Sequence, residues 1–152
     1  MKKLYWFTGQ AGAGKTVLAN ELKKHFDKLG DKKCVIIDGD DIREIYKNTD
    51  YSIDGRKANV DFVQKLCSFL IKNDIVPIVC MVSPFAEQRA TFVDYYDGQE
   101  IYVTTTEIRG RENFHVDYFE LPDILRKNVK YIDTSYSPTL NTFDKLLNLL
   151  SI

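Results

Sequence analysis

The segment Gly9-Gln10-Ala11-Gly12-Ala13-Gly14-Lys15-Thr16 leaves few folds open to this chain. It fits the pattern G-x-x-x-x-G-K-[S/T], a phosphate-binding loop. The apolar run Leu4-Tyr5-Trp6-Phe7-Thr8 precedes it, and a helix-like stretch from Val17 follows. That is the strand–loop–helix setting the pattern requires. Gly9, Gly12 and Gly14 let the backbone curl without side-chain clashes. The amides of Gly9 and of Ala11 to Val17 can then turn inward. Together with the positive end of the following helix they cradle phosphate oxygens. Lys15 reaches toward the β- and γ-phosphates, and the Thr16 hydroxyl is placed to ligate Mg²⁺.

The chain has 152 residues, so one domain spanning 1–152 is expected. An apolar content of 44% supplies a core at this length. A net charge of −1 gives no global field toward nucleic acid or membrane, and neither is expected as a partner. No apolar run reaches membrane-spanning length. Met1-Lys2-Lys3 leads straight into a strand rather than a signal peptide. Cys34, Cys67 and Cys80 are widely spaced and form no C-x-x-C pair. Cys34 and Cys80 fall in apolar runs and read as buried free thiols. A cytoplasmic setting is the expectation these features give.

Strand-like and helix-like segments alternate. Strands are expected at Lys3–Thr8, Cys34–Asp38, Ile75–Val82, Gln99–Thr105 and Val129–Asp133. Helices are expected at Lys15–Leu29, closed by Gly30, and at Asp40–Lys47 and Asp54–Asn73. Two more are expected from Pro84 to Tyr95 and over Thr139–Leu150. The alternation predicts an α/β protein of the P-loop NTPase fold, with roughly five parallel strands and helices on both faces.

The loop by itself specifies only a nucleotide-phosphate binder. No Asn-Lys-x-Asp guanine signature is present, and the run Ile78–Val82 ends in Ser83-Pro84 rather than an acid. The missing carboxylate has its nearest replacement in Asp38-Gly39-Asp40-Asp41, after the second strand. That carboxyl edge is where ligands sit in open α/β sheets. Asp40 is the candidate to orient or deprotonate an attacking hydroxyl and, with Thr16, a candidate Mg²⁺ ligand. Asp38 is the candidate to share that task or to hold Mg²⁺ through water. An N-cap at Asp40 and a turn at Asp38 are compatible with those roles. His25, on the first helix, reads as a surface residue.

These motifs carry a family resemblance. Ile37-Asp38-Gly39-Asp40-Asp41-Ile42-Arg43 resembles the D-G-D-N-I-R signature of adenylylsulfate kinases. Tyr51-Ser52-Ile53-Asp54-Gly55-Arg56-Lys57-Ala58-Asn59-Val60 resembles their F-S-x-x-D-R-x-x-N-I stretch. Val82-Ser83-Pro84-Phe85-Ala86-Glu87-Gln88-Arg89 resembles I-S-P-Y-x-x-D-R. Phe114-His115-Val116-Asp117, with Glu120-Leu121-Pro122, resembles a compressed F-T-G-I-D…Y-E-x-P. The resemblance implies transfer of the γ-phosphoryl group of ATP, with Mg²⁺, to the ribose 3′-hydroxyl of adenylyl sulfate. It implies substrate-anion contacts from Arg43 and Arg56, whose guanidinium forks suit phosphate oxygens. Asn59, one turn beyond Arg56, implies a hydrogen bond to the same ligand, and Val82 and Ser83 further substrate contacts. Tyr51 and Phe114 correspond to two aromatics that sandwich the substrate base, and either ring type offers a π-face. Relatives often dimerise, so a homodimer is a further expectation.

The chain also departs from the family pattern. Ile108-Arg109-Gly110-Arg111-Glu112-Asn113 runs almost directly into Phe114, and the Lys-Gly-Leu-Tyr lid element and its helix are missing. Arg109 or Arg111 is left to replace the lid's cationic contacts to the nucleotide. Asp61 and Phe62 stand where the family carries two arginines, and Gln10 where it usually carries Leu. Four readings stay open: an adenylylsulfate kinase; a related kinase for another nucleotide-linked acceptor, such as cytidine diphosphoramidate in capsule modification; a non-catalytic nucleotide-binding module; and a polynucleotide 5′-kinase. The near-neutral charge counts against the last.

Overall fold

Every strand of the sheet runs in the same direction. The computed structural model describes residues 1–152. Its elements are β1 (Tyr5–Thr8), α1 (Lys15–Leu29), β2 (Lys33–Asp38), α2 (Gly39–Tyr46), α3 (Ile53–Lys72), β3 (Ile75–Cys80), α4 (Ala86–Tyr95), β4 (Gln99–Thr104), β5 (Val129–Asp133) and α5 (Thr139–Leu150). A single 3₁₀ turn covers Glu112–Phe114. The five strands order as β2-β3-β1-β4-β5, all parallel. β1 is therefore central, with Tyr5 opposite Ile78 on one side and Gln99 on the other.

Alternation along β1 builds two cores. Tyr5 and Phe7 point to one face, with Leu18, Leu22 and Phe26 of α1 and Phe143 and Leu146 of α5. Leu4 and Trp6 point to the other, with Val60, Val63 and Cys67 of α3 and Val93 of α4. A strand buried on both faces reads as a continuous apolar run, as this one does. The three cysteines are free and buried. No helix is long and apolar enough to cross a membrane.

Most boundaries lie within two residues of those expected from the sequence. The expected C-cap at Gly30 is present, with φ 71° and its N–H donated to Phe26 O. The main correction concerns Pro84. The helix begins at Ala86, with an extended Phe85 as its cap, so Pro84 lies before the first turn rather than in it. The Pro84 carbonyl accepts from Glu120 N at 2.8 Å. A tertiary contact thus takes the carbonyl that a first helical turn would have used. A second correction concerns the acidic run. Asp38, not Asp40, caps α2, its Oδ1 accepting from Asp40 N at 2.9 Å. His25 is half-buried rather than a plain surface residue, its ring 6.2 Å from that of Phe143.

Candidate active site

The carboxyl ends of β1, β2, β3 and β5 meet at one edge of the sheet, and the loop 9–16 leaves β1 there. Gly9, Gly12 and Gly14 have φ of 147°, 81° and 106°, a backbone that side-chain-bearing residues resist. Gly9 faces a second constraint: a Cβ there would run into the carbonyl oxygen of Val103 on β4. Lys15, the first residue of α1, is folded under the loop. Its ammonium donates to Gly9 O at 2.9 Å and Gln10 O at 2.7 Å. Burial pulls its pKa down to about 8, although Cys80, Asp38 and Asp40 act in the opposite direction. A cation kept this close to neutrality gains from any anion that enters the loop.

Thr16 joins the loop to the acidic edge. Its hydroxyl donates to Asp38 Oδ2 at 3.0 Å. Cys80, ending β3, lies beneath both, with Sγ 3.5 Å from Asp38 Oδ2. Burial pushes that thiol up to about 12, and the Asp38 carboxylate adds to the effect. Asp40 is exposed in the first turn of α2 and carries no ion pair. Of the two acids offered by the sequence as Mg²⁺ partners, Asp38 is the one bonded to Thr16. A hydroxyl and a carboxylate oxygen 3.0 Å apart are hard oxygen donors. They suit a Mg²⁺ ion that takes its other ligands from phosphate and water. No group of three or more His, Cys, Asp or Glu residues gathers into an all-protein metal cage.

On the side of α2 and α3, Arg43 is buried and donates to Asn48 O at 3.2 Å and Asp50 O at 3.0 Å. Desolvation lowers its pKa from the ordinary arginine value. Its guanidinium lies 4.1 Å from the centroid of the Tyr51 ring, and that of Arg56 lies 5.4 Å away. Tyr51 itself is exposed. Ser52 caps α3, accepting from Gly55 N at 3.1 Å. Two polar atoms on α3, Arg56 Nε and Asn59 Oδ1, are buried without a hydrogen-bond partner. Such orphans are rare in native structures and mark places where a ligand or water completes the set.

Of the backbone and hydroxyl groups that Ser83 could offer a substrate, the hydroxyl is engaged within the protein. The side chain is 2% exposed, accepts from Trp6 Nε1 at 2.9 Å and donates to Thr8 Oγ1 at 3.1 Å. The hydroxyl is thus committed inward, leaving only backbone for a ligand. Val82 precedes it, half-buried, with its carbonyl accepting from Thr8 Oγ1 at 2.7 Å. Ser83 also sits at φ 40°, a sparsely populated conformation for a residue with a Cβ.

The segment after β4 passes back over the loop. Arg109 donates to Gly12 O at 3.1 Å, Ala13 O at 3.2 Å and Thr134 O at 2.9 Å, and pairs with Glu107. Arg111 crosses Gly12 and lays its guanidinium 5.1 Å from the Phe114 ring centroid. Phe114 is exposed. Val17, beyond the loop, is exposed on α1.

Three contributors escaped the sequence. Thr134, just past β5, donates to Ala13 O at 2.7 Å and so braces the loop. Gln10 pairs with the overlying segment. Arg89, noted only as part of a motif, is fully buried; it binds Glu100 at 2.7 Å, Ser83 O at 2.5 Å and Glu120 O at 2.7 Å. Its place four residues into a helix gave no sign of this; only the improbability of an arginine on an apolar helix face hinted at it.

Comparison with known proteins bears on the family of the chain. A protein-family model described as adenylylsulphate kinase matches residues 1–113. The "Probable adenylyl-sulfate kinase" of Pyrococcus abyssi is 38% identical over 85 residues, 55% of this chain and 48% of that protein. An adenylyl-sulfate kinase of Phocaeicola vulgatus is 33% identical over 106 residues, 67% of this chain and 52% of that protein. The chain thus spans about half the length of these relatives. The solved structure of a Mycobacterium tuberculosis APS kinase in complex with AMPPNP and APS superposes with a TM-score of 0.74 at 20% identity, covering 99% of this chain and 98% of that one. The likeness to that structure is one of fold, and the match to the family model over most of the chain fixes its kinship: it belongs to the adenylylsulphate kinase family.

Proposed function

We propose that this protein is an ATP-dependent kinase that phosphorylates the ribose 3′-hydroxyl of a nucleotide-type acceptor, adenylyl sulfate first among them. The observation that carries this reading is the 3.0 Å bond between Thr16 and Asp38, which joins the phosphate loop to the acidic edge. The loop amides and Lys15 hold the triphosphate. Thr16 and Asp38 hold Mg²⁺, directly or through water, and that ion when bound offsets charge on the phosphate oxygens. Asp40, exposed at the start of α2, orients the acceptor hydroxyl and takes its proton. Arg43 and Arg56 receive the anionic part of the acceptor, which gives the orphaned Arg56 Nε its partner, and the orphaned Asn59 Oδ1 accepts from a hydroxyl or amino group of the same ligand. Tyr51 and Phe114 offer faces to its base, and Arg109 and Arg111 stand on the nucleotide side. Phosphoryl transfer asks little more than this positioning and charge neutralisation.

One observation favours a second acceptor within the same chemistry. Asp61 pairs with Lys65 along α3 at 2.9 Å, and Phe62 stacks on Tyr46 at 4.6 Å. These positions, where the family has two arginines, lend no cation to the site. An acceptor with a different anionic group, such as cytidine diphosphoramidate, fits that loss.

The deciding experiment is ADP release with adenylyl sulfate against a panel of pyrimidine diphospho-compounds, with and without excess chelator. Turnover with adenylyl sulfate that stops on chelation is expected. ADP release with none of the acceptors would leave a binding module and refute the proposal.

A further inference from the structure

Gln10 lies on the loop yet faces away from the phosphate cradle. Its carboxamide makes a reciprocal pair with the backbone of Val116: Nε2 donates to Val116 O at 2.8 Å, and Val116 N donates to Oε1 at 2.9 Å. The two residues are 106 positions apart. Val116 is buried, and the neighbouring His115 Nε2 lies 3.1 Å from Ala11 O. The strap from Thr105 to Asn128 is also tied nearer its ends, at Thr106, Arg109, Glu120, Pro122 and Arg126 among others. Arg109 fastens its start to Gly12 and Ala13. Arg89 and Pro84 fasten Glu120 beside Ser83. The Gln10 pair falls between these anchors, two residues from Phe114. The carbonyl of Gln10 also accepts from Lys15 Nζ at 2.7 Å. One residue thus holds the strap with its side chain and the loop lysine with its backbone.

We propose that Gln10 is a positioning residue that sets the register of this short strap over the phosphate loop, and through it the placement of Phe114 and Arg111. This rests on the functional reading above but reaches a residue to which that reading gives no contact with nucleotide or acceptor. A carboxamide presents one donor and one acceptor at the spacing of a backbone peptide, so it pairs like an added strand. Leucine at this place would leave Val116 N–H without a partner and its C=O with only the long bond from Phe119 N at 3.3 Å, and a strap lacking its own helix has no secondary structure to replace what is lost. Losing two hydrogen bonds of ordinary net strength loosens a segment by roughly tenfold or more.

The test uses the whole protein and the variants Gln10→Leu and Gln10→Glu. Glutamate keeps the acceptor for Val116 N–H and loses the donor. Amide hydrogen exchange is followed at Val116 and in β1 and β4. The expected result is exchange at Val116 faster by about tenfold in Gln10→Leu and by less in Gln10→Glu, with strand amides unchanged. With adenylyl sulfate as acceptor, Gln10→Leu is expected to raise the acceptor KM about tenfold while kcat stays within about threefold. Unchanged exchange at Val116, or loss of protection in β1 and β4 as well, overturns the proposal. So does an acceptor KM within about twofold of the parent's in a protein that turns over. If no acceptor turns over, the functional reading falls, while the exchange measurement on the free protein still decides the role of Gln10.

Discussion

The phosphate loop and the strap above it are close in space and built by opposite means. The loop is dictated by its own residues: three glycines in left-handed or glycine-only backbone, a strand before and a helix after. The strap from Thr105 to Asn128 has one 3₁₀ turn and no strand or longer helix. It is held by side chains from elsewhere: Gln10, Arg89, Thr134 through Arg109, and Tyr102 stacked on Phe119 at 5.8 Å. A locally encoded element survives change around it. A borrowed one fails when its lender changes.

Substitutions can separate the two. The largest effect is expected at Lys15→Ala, which should lower turnover on the order of 10³-fold or more with the thermal transition little moved. Retained turnover would refute the assignment of the loop. Asp40→Asn should cost about 10²-fold in kcat with ATP affinity retained, as single-turnover kinetics would report.

Arg89→Met tests the lender side. Glu100 would keep Arg126, 2.6 Å away, but lose Arg89, and the carbonyls of Ser83 and Glu120 would lose their donor. Breaking a buried pair this way costs about 3–5 kcal/mol, measurable by urea unfolding. Faster exchange in the strap than in the loop would sharpen the contrast, and equal stability would break it.

A milder effect concerns pH. Lys15 titrates at about 8 in the free protein, below its ordinary unfolded value. The unfolded chain therefore binds more protons above pH 8, and this group's contribution makes stability rise from there toward the normal lysine range. Bound phosphate holds Lys15 protonated, so nucleotide binding above pH 8 takes up a proton. Affinity for an ATP analogue should fall by up to about tenfold per pH unit above that point, with proton uptake seen by calorimetry in buffers of different ionisation heat. A flat profile from pH 7 to about 9.5 would contradict the buried-cation reading. The smallest effect is expected at Phe114→Ala, about 1 kcal/mol in acceptor KM with the ATP KM unchanged.

The same contrast explains what the sequence disclosed. The loop, the two-sided burial of β1 and the alternation of strands and helices rest on period and glycine placement, which are local. The acidic edge was legible as a group, but its division of labour was not: Asp38, Asp40 and Asp41 are interchangeable as a cap on paper, and only packing turned Asp38 toward Thr16. Pro84 misled because the strap's Glu120 claims its carbonyl, a contact 36 residues away by sequence number. The Ser83 hydroxyl, buried beneath Trp6, was hidden for the same reason. Gln10 read as a minor change because its partner lies in a segment with no periodicity to announce it.

The central position of β1 has a consequence for biogenesis. Of the five strands this one is made first, yet both of its neighbours, β3 and β4, lie some 70 to 95 residues downstream. During synthesis Tyr5, Trp6 and Phe7 have no strand partner until residue 80 has emerged, and one side of this aromatic-rich strand stays open until residue 104. Such delayed, non-local pairing slows folding and exposes sticky surface. The nascent chain is therefore most vulnerable to aggregation through the very strand that later launches the phosphate loop.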